Sequence, residues 1–214
     1  MSPGRGAFVV FEGGDGVGKT TQVERLCAAL AARGREVVRT FEPGDTALGA
    51  VLRRVLLDPG TGEVSARAEA LLYAADKAQH LDEVVRPALA RGAVVVCDRY
   101  VDSMIAYQGA GRVLDPAEVE QVARWATAGL RPDLTVLLDL EPARGVSEKA
   151  EHDRLEGAGE AFHDRARAFF LQLAARDPEH YLVLPAREPR EVLADRVGER
   201  VSRLLSVPAG TLRA

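Results

Sequence analysis

Gly13-Gly14-Asp15-Gly16-Val17-Gly18-Lys19-Thr20 follows the pattern G-x-x-x-x-G-K-[ST], and its neighbours fit on both sides. The apolar run Ala7–Phe11 before it predicts a buried strand. The run Thr21–Arg33 after it, with Val23, Leu26, Cys27 and Leu30 on one face, predicts an amphipathic helix. A strand, a glycine turn and a helix N-terminus together form an anion site, because backbone N–H groups point into the loop and the helix dipole favours negative charge there. Gly13 through Thr21 are therefore expected to bind the phosphates of a nucleoside triphosphate. Lys19 reaches the β- and γ-phosphates and the Thr20 hydroxyl ligates Mg²⁺.

The rest of the chain alternates in the same way. Strands are predicted at Ala7–Glu12, Glu36–Phe41, Ala93–Asp98, Leu134–Leu140 and Tyr181–Leu184. Helices are predicted at Lys19–Arg33, Leu48–Leu57, Ala66–Leu81, Pro116–Ala128, Ala161–Arg176 and Pro189–Leu205. Gly34, Gly92 and Gly129 fall just past helix ends, where a left-handed residue terminates the helix. Val94-Val95-Val96 and Val136-Leu137-Leu138 are unbroken apolar runs, as in parallel strands buried on both faces. The expected fold is a three-layer α/β/α sandwich on a five-stranded parallel sheet, one domain over residues 1–214 with frayed ends at 1–6 and 206–214.

Composition narrows the function. A formal net charge of −4 argues against general nucleic-acid binding. No apolar run approaches membrane-spanning length, and Met1–Gly6 is not a signal peptide. Cys27 and Cys97 each sit in an apolar run without metal-ligand spacing, which fits core residues in a reducing compartment, so a cytoplasmic protein is expected. Of 28 basic residues only Lys19, Lys77 and Lys149 are lysines, so each retained lysine asks for its own explanation.

In open α/β sheets ligands bind at the carboxyl ends of the strands. Within the first such loop, Asp15 either accepts from a sugar hydroxyl, holds a Mg²⁺-bound water, or faces solvent. After the second strand, Pro43 and Gly44 fix a turn that places Glu42 at the sheet edge, as an ordinary turn also would. After the third, Asp98 and Arg99 offer a carboxylate for a metal-bound water and a planar fork for phosphate, or else a strand-capping pair. Residues 99, 103 and 107 share a face if a helix starts there. Tyr73, Asp76, Lys77 and His80 form another stripe. Periodicity alone favours a solvated face, against a surface for stacking and reading a base. The four histidines read as surface or packing residues rather than ligands. Pro142–Gly159, with Arg144, Lys149 and Arg154, reads as a loop or a cationic lid. An acceptor hydroxyl calls for a carboxylate base. An acceptor phosphate is already anionic and calls instead for cations to hold two polyanions in line, which Lys19, Arg99 and the lid supply.

These residues resemble thymidylate kinases from Phe8 to about Leu204. Beyond Phe11-Glu12 and the glycine loop, the landmarks are Glu42-Pro43-Gly44, Arg86-Pro87-Ala88-Leu89, Asp98-Arg99-Tyr100 with Ser103 and Ala106-Tyr107-Gln108-Gly109, and Asp153-Arg154-Leu155-Glu156. The resemblance implies transfer of a phosphoryl group from ATP to dTMP with Mg²⁺, by a homodimer. It implies catalytic roles for Lys19, Arg99, Arg154 and Asp15, with Asp15 on the 3′-hydroxyl, Arg99 on the dTMP phosphate and Tyr107 crowding the 2′ position. Glu42, Pro43, Tyr73, Lys77, Ser103, Met104 and Gln108 complete the substrate site, and Thr20 and Asp98 the metal site. Four positions depart from the family pattern. Phe41 stands where relatives have arginine and Asp45 where they have glycine. Lys77 replaces arginine, and Met104 replaces a polar residue. The lid is short and poor in arginine, and a different acceptor nucleotide or a loss of catalysis are the rival expectations.

Overall fold

The computed structural model describes residues 6–112, 114–140 and 159–206. Five parallel strands run in the order β2-β3-β1-β4-β5. They are β1 (Ala7–Gly13), β2 (Val37–Phe41), β3 (Val94–Asp98), β4 (Leu134–Asp139) and β5 (Tyr181–Pro185). Sequence character sorts them. The unbroken apolar runs became the inner strands β1, β3 and β4, covered on both faces. The mixed segments Val37–Phe41 and Tyr181–Pro185 became the partly exposed edges.

Eight α-helices are described: α1 (Lys19–Ala31), α2 (Ala47–Leu57), α3 (Ala66–His80), α4 (Arg86–Ala90), α5 (Val101–Met104), α6 (Pro116–Ala126), α7 (Glu160–Arg176) and α8 (Arg190–Ser206). Alternation along β1 divides the core. Ala7, Val9 and Phe11 pack with Val23, Leu26 and Leu30 of α1 and Leu193, Val197 and Val201 of α8. Phe8 and Val10 face the opposite layer, where Leu81, Val85 and Ala88 lie. On that side Phe162, Ala166 and Phe170 of α7 pack on Leu137 of β4. The expected three layers and parallel sheet are observed.

The differences are local. The first helix ends at Ala31 rather than Arg33, and Gly34 takes a left-handed φ of 74° as expected of a terminator. The third helix was expected to stop at Leu81. It continues through a π turn, Leu81–Val85, into α4, because Leu81, Val85 and Ala88 are needed against the sheet. That wider turn precedes Pro87, which has no N–H to give the helical ladder. A second π segment, Ile105–Gly111, extends α5. Cys97 is buried, as expected, but Cys27 is only half-buried at the margin of the core. The Pro142–Gly159 expectation, with Arg144, Lys149 and Arg154, lies outside the described residues except for Gly159.

Candidate active-site cleft

The chain leaves β1 toward β2 on one side and later adds β4 on the other, so a crevice opens at the carboxyl end of β1. A cleft of about 600 Å³ lies there. The glycine loop forms one wall. Gly13 takes φ 129°, and any Cβ on it would come 2.3 Å from the Leu138 carbonyl oxygen of β4. Only glycine allows that approach. Gly18 caps α1 at φ 93°, which turns the first N–H groups of the helix toward the cleft. Asp15, Gly16, Gly18, Lys19, Thr20 and Thr21 line it, while Val17 turns down into the core.

Lys19 is buried and folds back, donating to the carbonyls of Gly13 at 3.1 Å and Gly14 at 2.6 Å. Burial, and then the charge of Arg99, push its ammonium down to about 8. Thr20 Oγ1 donates to Asp98 Oδ2 at 3.1 Å. One hydroxyl and one carboxylate at a phosphate loop suit Mg²⁺, which keeps waters and takes phosphate oxygens rather than an all-protein cage. Among the described residues no group of three or more His, Cys, Asp or Glu offers such a cage.

Arg99 faces the loop from the end of β3. Its Nη1 donates to the Gly13 carbonyl at 3.0 Å and to Ser103 Oγ at 3.0 Å, and Nη2 to Asp15 Oδ1 at 2.6 Å. The Tyr107 ring lies 5.3 Å from the guanidinium, so the side chains of residues 99, 103 and 107 do meet, although the helix starts only at Val101 and Arg99 lies before it. Burial alone would raise the Asp15 carboxyl, but Arg99 and then Lys19 outweigh it and hold it below the usual carboxylate range. Arg99 has φ 69°, a left-handed conformation unusual for a side-chain-bearing residue. Glu12, the residue before Gly13, fixes this turn. Its carboxylate accepts from the N–H groups of Tyr100 at 2.9 Å and Ser103 at 3.1 Å and from Ser103 Oγ at 2.5 Å. Burial dominates those bonds and raises the Glu12 carboxyl.

The far end of the cleft is built from α3, and here the sequence expectation of a solvated face fails. Tyr73, Asp76, Lys77 and His80 are all buried. Glu42, at the end of β2, pairs with Lys77 Nζ through Oε2 and with His80 Nδ1 through Oε1 at 2.7 Å. His80 Nε2 lies 2.5 Å from Thr40 Oγ1, which donates to Asp45 Oδ2 at 2.5 Å. Asp76 Oδ1 accepts from the Gly44 N–H at 3.0 Å, so α3 also holds the Pro43-Gly44 turn. Periodicity cannot show this, because the partners that make burial tolerable come from a turn some 35 residues away. Burial would raise the Glu42 carboxyl, but Lys77 and His80 bring it below its usual range. Burial, then Glu42's charge, push Asp76 up to about 6. Asp45 accepts from Thr40 and does not line the cleft.

Glu42, Pro43, Tyr73, Lys77, Asp98, Ser103, Met104, Tyr107 and Gln108 all line the one cleft. Gly13 and Gly14 meet it through Lys19, and Arg154 lies outside the described residues. In the sequence Glu12 and Tyr100 stand only as landmarks without a role, and nothing there points to Thr40 or to three cations that line the cleft, Arg39, Arg53 and Arg190. Arg53 of α2 sits 5.7 Å over the Phe41 ring and donates to the Pro43 carbonyl at 2.7 Å. It brings a positive charge close to the place where Phe41 has none. Arg54 follows it in the sequence, and nothing in the pattern distinguishes the inward arginine from its neighbour.

The description "thymidylate kinase" belongs to the family model that matches residues 11–197. Thymidylate kinase of Cutibacterium acnes is 59% identical over 201 residues, 94% of this chain and 98% of the relative. That of Clavibacter sepedonicus is 52% identical over 208 residues, 95% of this chain and 98% of the relative. The crystal structure of thymidylate kinase from Ehrlichia chaffeensis is similar with a TM-score of 0.77 at 27% identity, covering 92% of this chain and 98% of that one.

Proposed function

The chain belongs to the thymidylate kinase family, and from that premise we propose that it transfers the γ-phosphoryl group of ATP to dTMP, giving ADP and dTDP. The observation that carries the reading is a shared oxygen. Lys19 Nζ and Arg99 Nη1 both reach the Gly13 carbonyl, at 3.1 and 3.0 Å. One cation comes from the donor loop and the other from the end of β3, so anions drawn to the two are brought together at transfer distance.

ATP phosphates displace the Gly13 and Gly14 carbonyls as partners of Lys19 and take the N–H groups of the loop, from Gly13 to Thr21. Thr20 would ligate Mg²⁺ and Asp98 would hold one of its waters, and the bound metal would supply neutralisation of phosphate charge. Arg99 aims the dTMP phosphate, which is anionic and needs no base to attack. Asp15 takes the sugar 3′-hydroxyl and Tyr107 closes the 2′ side. Tyr73 stacks on the base with Met104 beside it. Lys77 and Gln108 address the edge of the base, and Glu42, Pro43 and Ser103 support them. Arg154 is assigned to the transferring phosphate from the resemblance alone.

The chain is read as one kinase domain working in the cytoplasm as a homodimer. Leu48, Val51 and Val55 of α2 are exposed on neighbouring turns, an apolar stripe suited to a second copy. Among the described residues no helix is long and apolar enough to cross a membrane. Sedimentation as a monomer at micromolar concentration would refute the dimer. Coupled ADP release with dTMP, dUMP, dCMP, dGMP and UMP tests the reaction. A best acceptor other than dTMP overturns the assignment, and ATP binding without transfer to any acceptor overturns catalysis.

A further inference from the structure

Gln108 is 1% exposed and lines the cleft, and its side-chain amide has two ends of opposite chemistry. Its Nε2 donates to Glu69 Oε1 at 3.1 Å. Glu69, in the first turn of α3, is itself buried and is gripped by Arg112, whose Nε and Nη2 donate to Oε1 and Oε2, each at 3.1 Å. Arg112 is fixed in turn by its guanidinium lying 5.2 Å from the Phe162 ring and by its own N–H on the Tyr107 carbonyl at 2.9 Å. A carboxylate held by a guanidinium only accepts hydrogen bonds. It takes the N–H end of an amide and refuses the carbonyl end. The two ends have the same shape, so the neighbour's chemistry decides which way the amide points.

We propose that Glu69 is a specificity-determining positioning residue that turns the Gln108 amide so that Oε1 meets the pyrimidine, accepting N3–H of thymine or uracil and repelling the N3 lone pair of cytosine. The inference rests on the dTMP reading above. The ammonium of Lys77, at the same end of the cleft, is donor-only. Acceptor and donor together complement N3–H and the 4-carbonyl of thymine. Cytosine opposes both, with a lone pair at N3 and an amino group at position 4. A buried polar group left facing its own kind costs about ten- to a hundred-fold in affinity.

The test compares kcat/KM for dTMP and dCMP in the full-length wild type, Glu69→Gln and Gln108→Met. A glutamine at 69 donates as readily as it accepts, so it no longer dictates the amide's direction. The expected result is that Glu69→Gln narrows the dTMP:dCMP ratio by about ten-fold, chiefly through the KM for dTMP. kcat at saturating dTMP stays within about two-fold of wild type. Gln108→Met narrows the ratio as well. If Glu69→Gln depresses both acceptors alike and keeps the wild-type ratio, Glu69 is only structural and the proposal is overturned. If Gln108→Met keeps the ratio, Oε1 does not read the base and the proposal falls whatever position 69 does. Should Glu69→Gln not fold, Glu69→Asp, which withdraws the acceptor by one methylene, is read by the same ratio. A wild-type enzyme that prefers another acceptor to dTMP removes the dTMP reading before either variant is considered.

Discussion

The two ends of the cleft are made in opposite ways. At the phosphate end, one contiguous stretch from Gly13 to Thr21 supplies the loop, the cation and the hydroxyl, and its special backbone angles fall on glycines. At the base end, Glu42, Tyr73, Asp76, Lys77 and His80 come from two elements and become useful only when buried together. The first end has cations resting on loop carbonyls, which phosphate displaces in the proposed reading. At the second, Glu42 is already paired with Lys77 and His80. Damage to the first should therefore appear as lost rate, and damage to the second as lost stability.

The sharpest contrast comes from Lys19→Ala, which should lower kcat/KM about a thousand-fold while shifting the unfolding midpoint by only a few degrees. Steady-state kinetics beside a denaturant melt would read both, and a large stability loss would erase the distinction. Glu42→Gln should do the reverse. It leaves the Lys77 ammonium buried without its counter-charge, and urea unfolding should show a loss of about 3–5 kcal/mol. A variant as stable as wild type would mean that the pair contributes nothing there.

The pH dependence of ATP binding probes the phosphate end further. Lys19 titrates near 8 in the free protein, and phosphates favour its charged form. Binding above that value must take up a proton, so affinity should fall as pH rises past about 8, approaching ten-fold per pH unit. Calorimetry between pH 7 and 9.5 in buffers of different ionisation enthalpy would show the uptake, and a flat profile would contradict it. The smallest effect separates Arg99→Gly from Arg99→Ala. Both lose the guanidinium and most turnover, but glycine accepts φ 69° freely, so the glycine variant should be the more stable by about 1 kcal/mol.

The same contrast explains what could be read from the chain. The sheet and its helices were legible because Val94–Val96 and Val136–Leu138 are unbroken apolar runs and because glycines mark the helix ends. Lys19, Thr20, Asp98 and Arg99 were legible because each stands at a fixed offset from a strand end. The α3 stripe was misread from periodicity because Lys77 and His80 owe their burial to Glu42, which the helix pattern does not contain. The helix extension through Leu81–Val85 lies beyond the expected end at Leu81 because Leu81, Val85 and Ala88 pack on the sheet, a tertiary contact that the local pattern does not contain. Glu12 stands in the sequence only as a landmark of the resemblance, without a role, because one acid at the end of an apolar strand looks like a boundary, not a clamp.

Glu12 is bonded through its side chain to Tyr100 and Ser103, and its next neighbour in the chain is Gly13. One carboxylate thus rivets the strand that ends in the donor loop to the turn that carries Arg99. The spacing between the glycine loop and the Arg99 turn is thus set by the scaffold itself, through a strand end and a single buried acid.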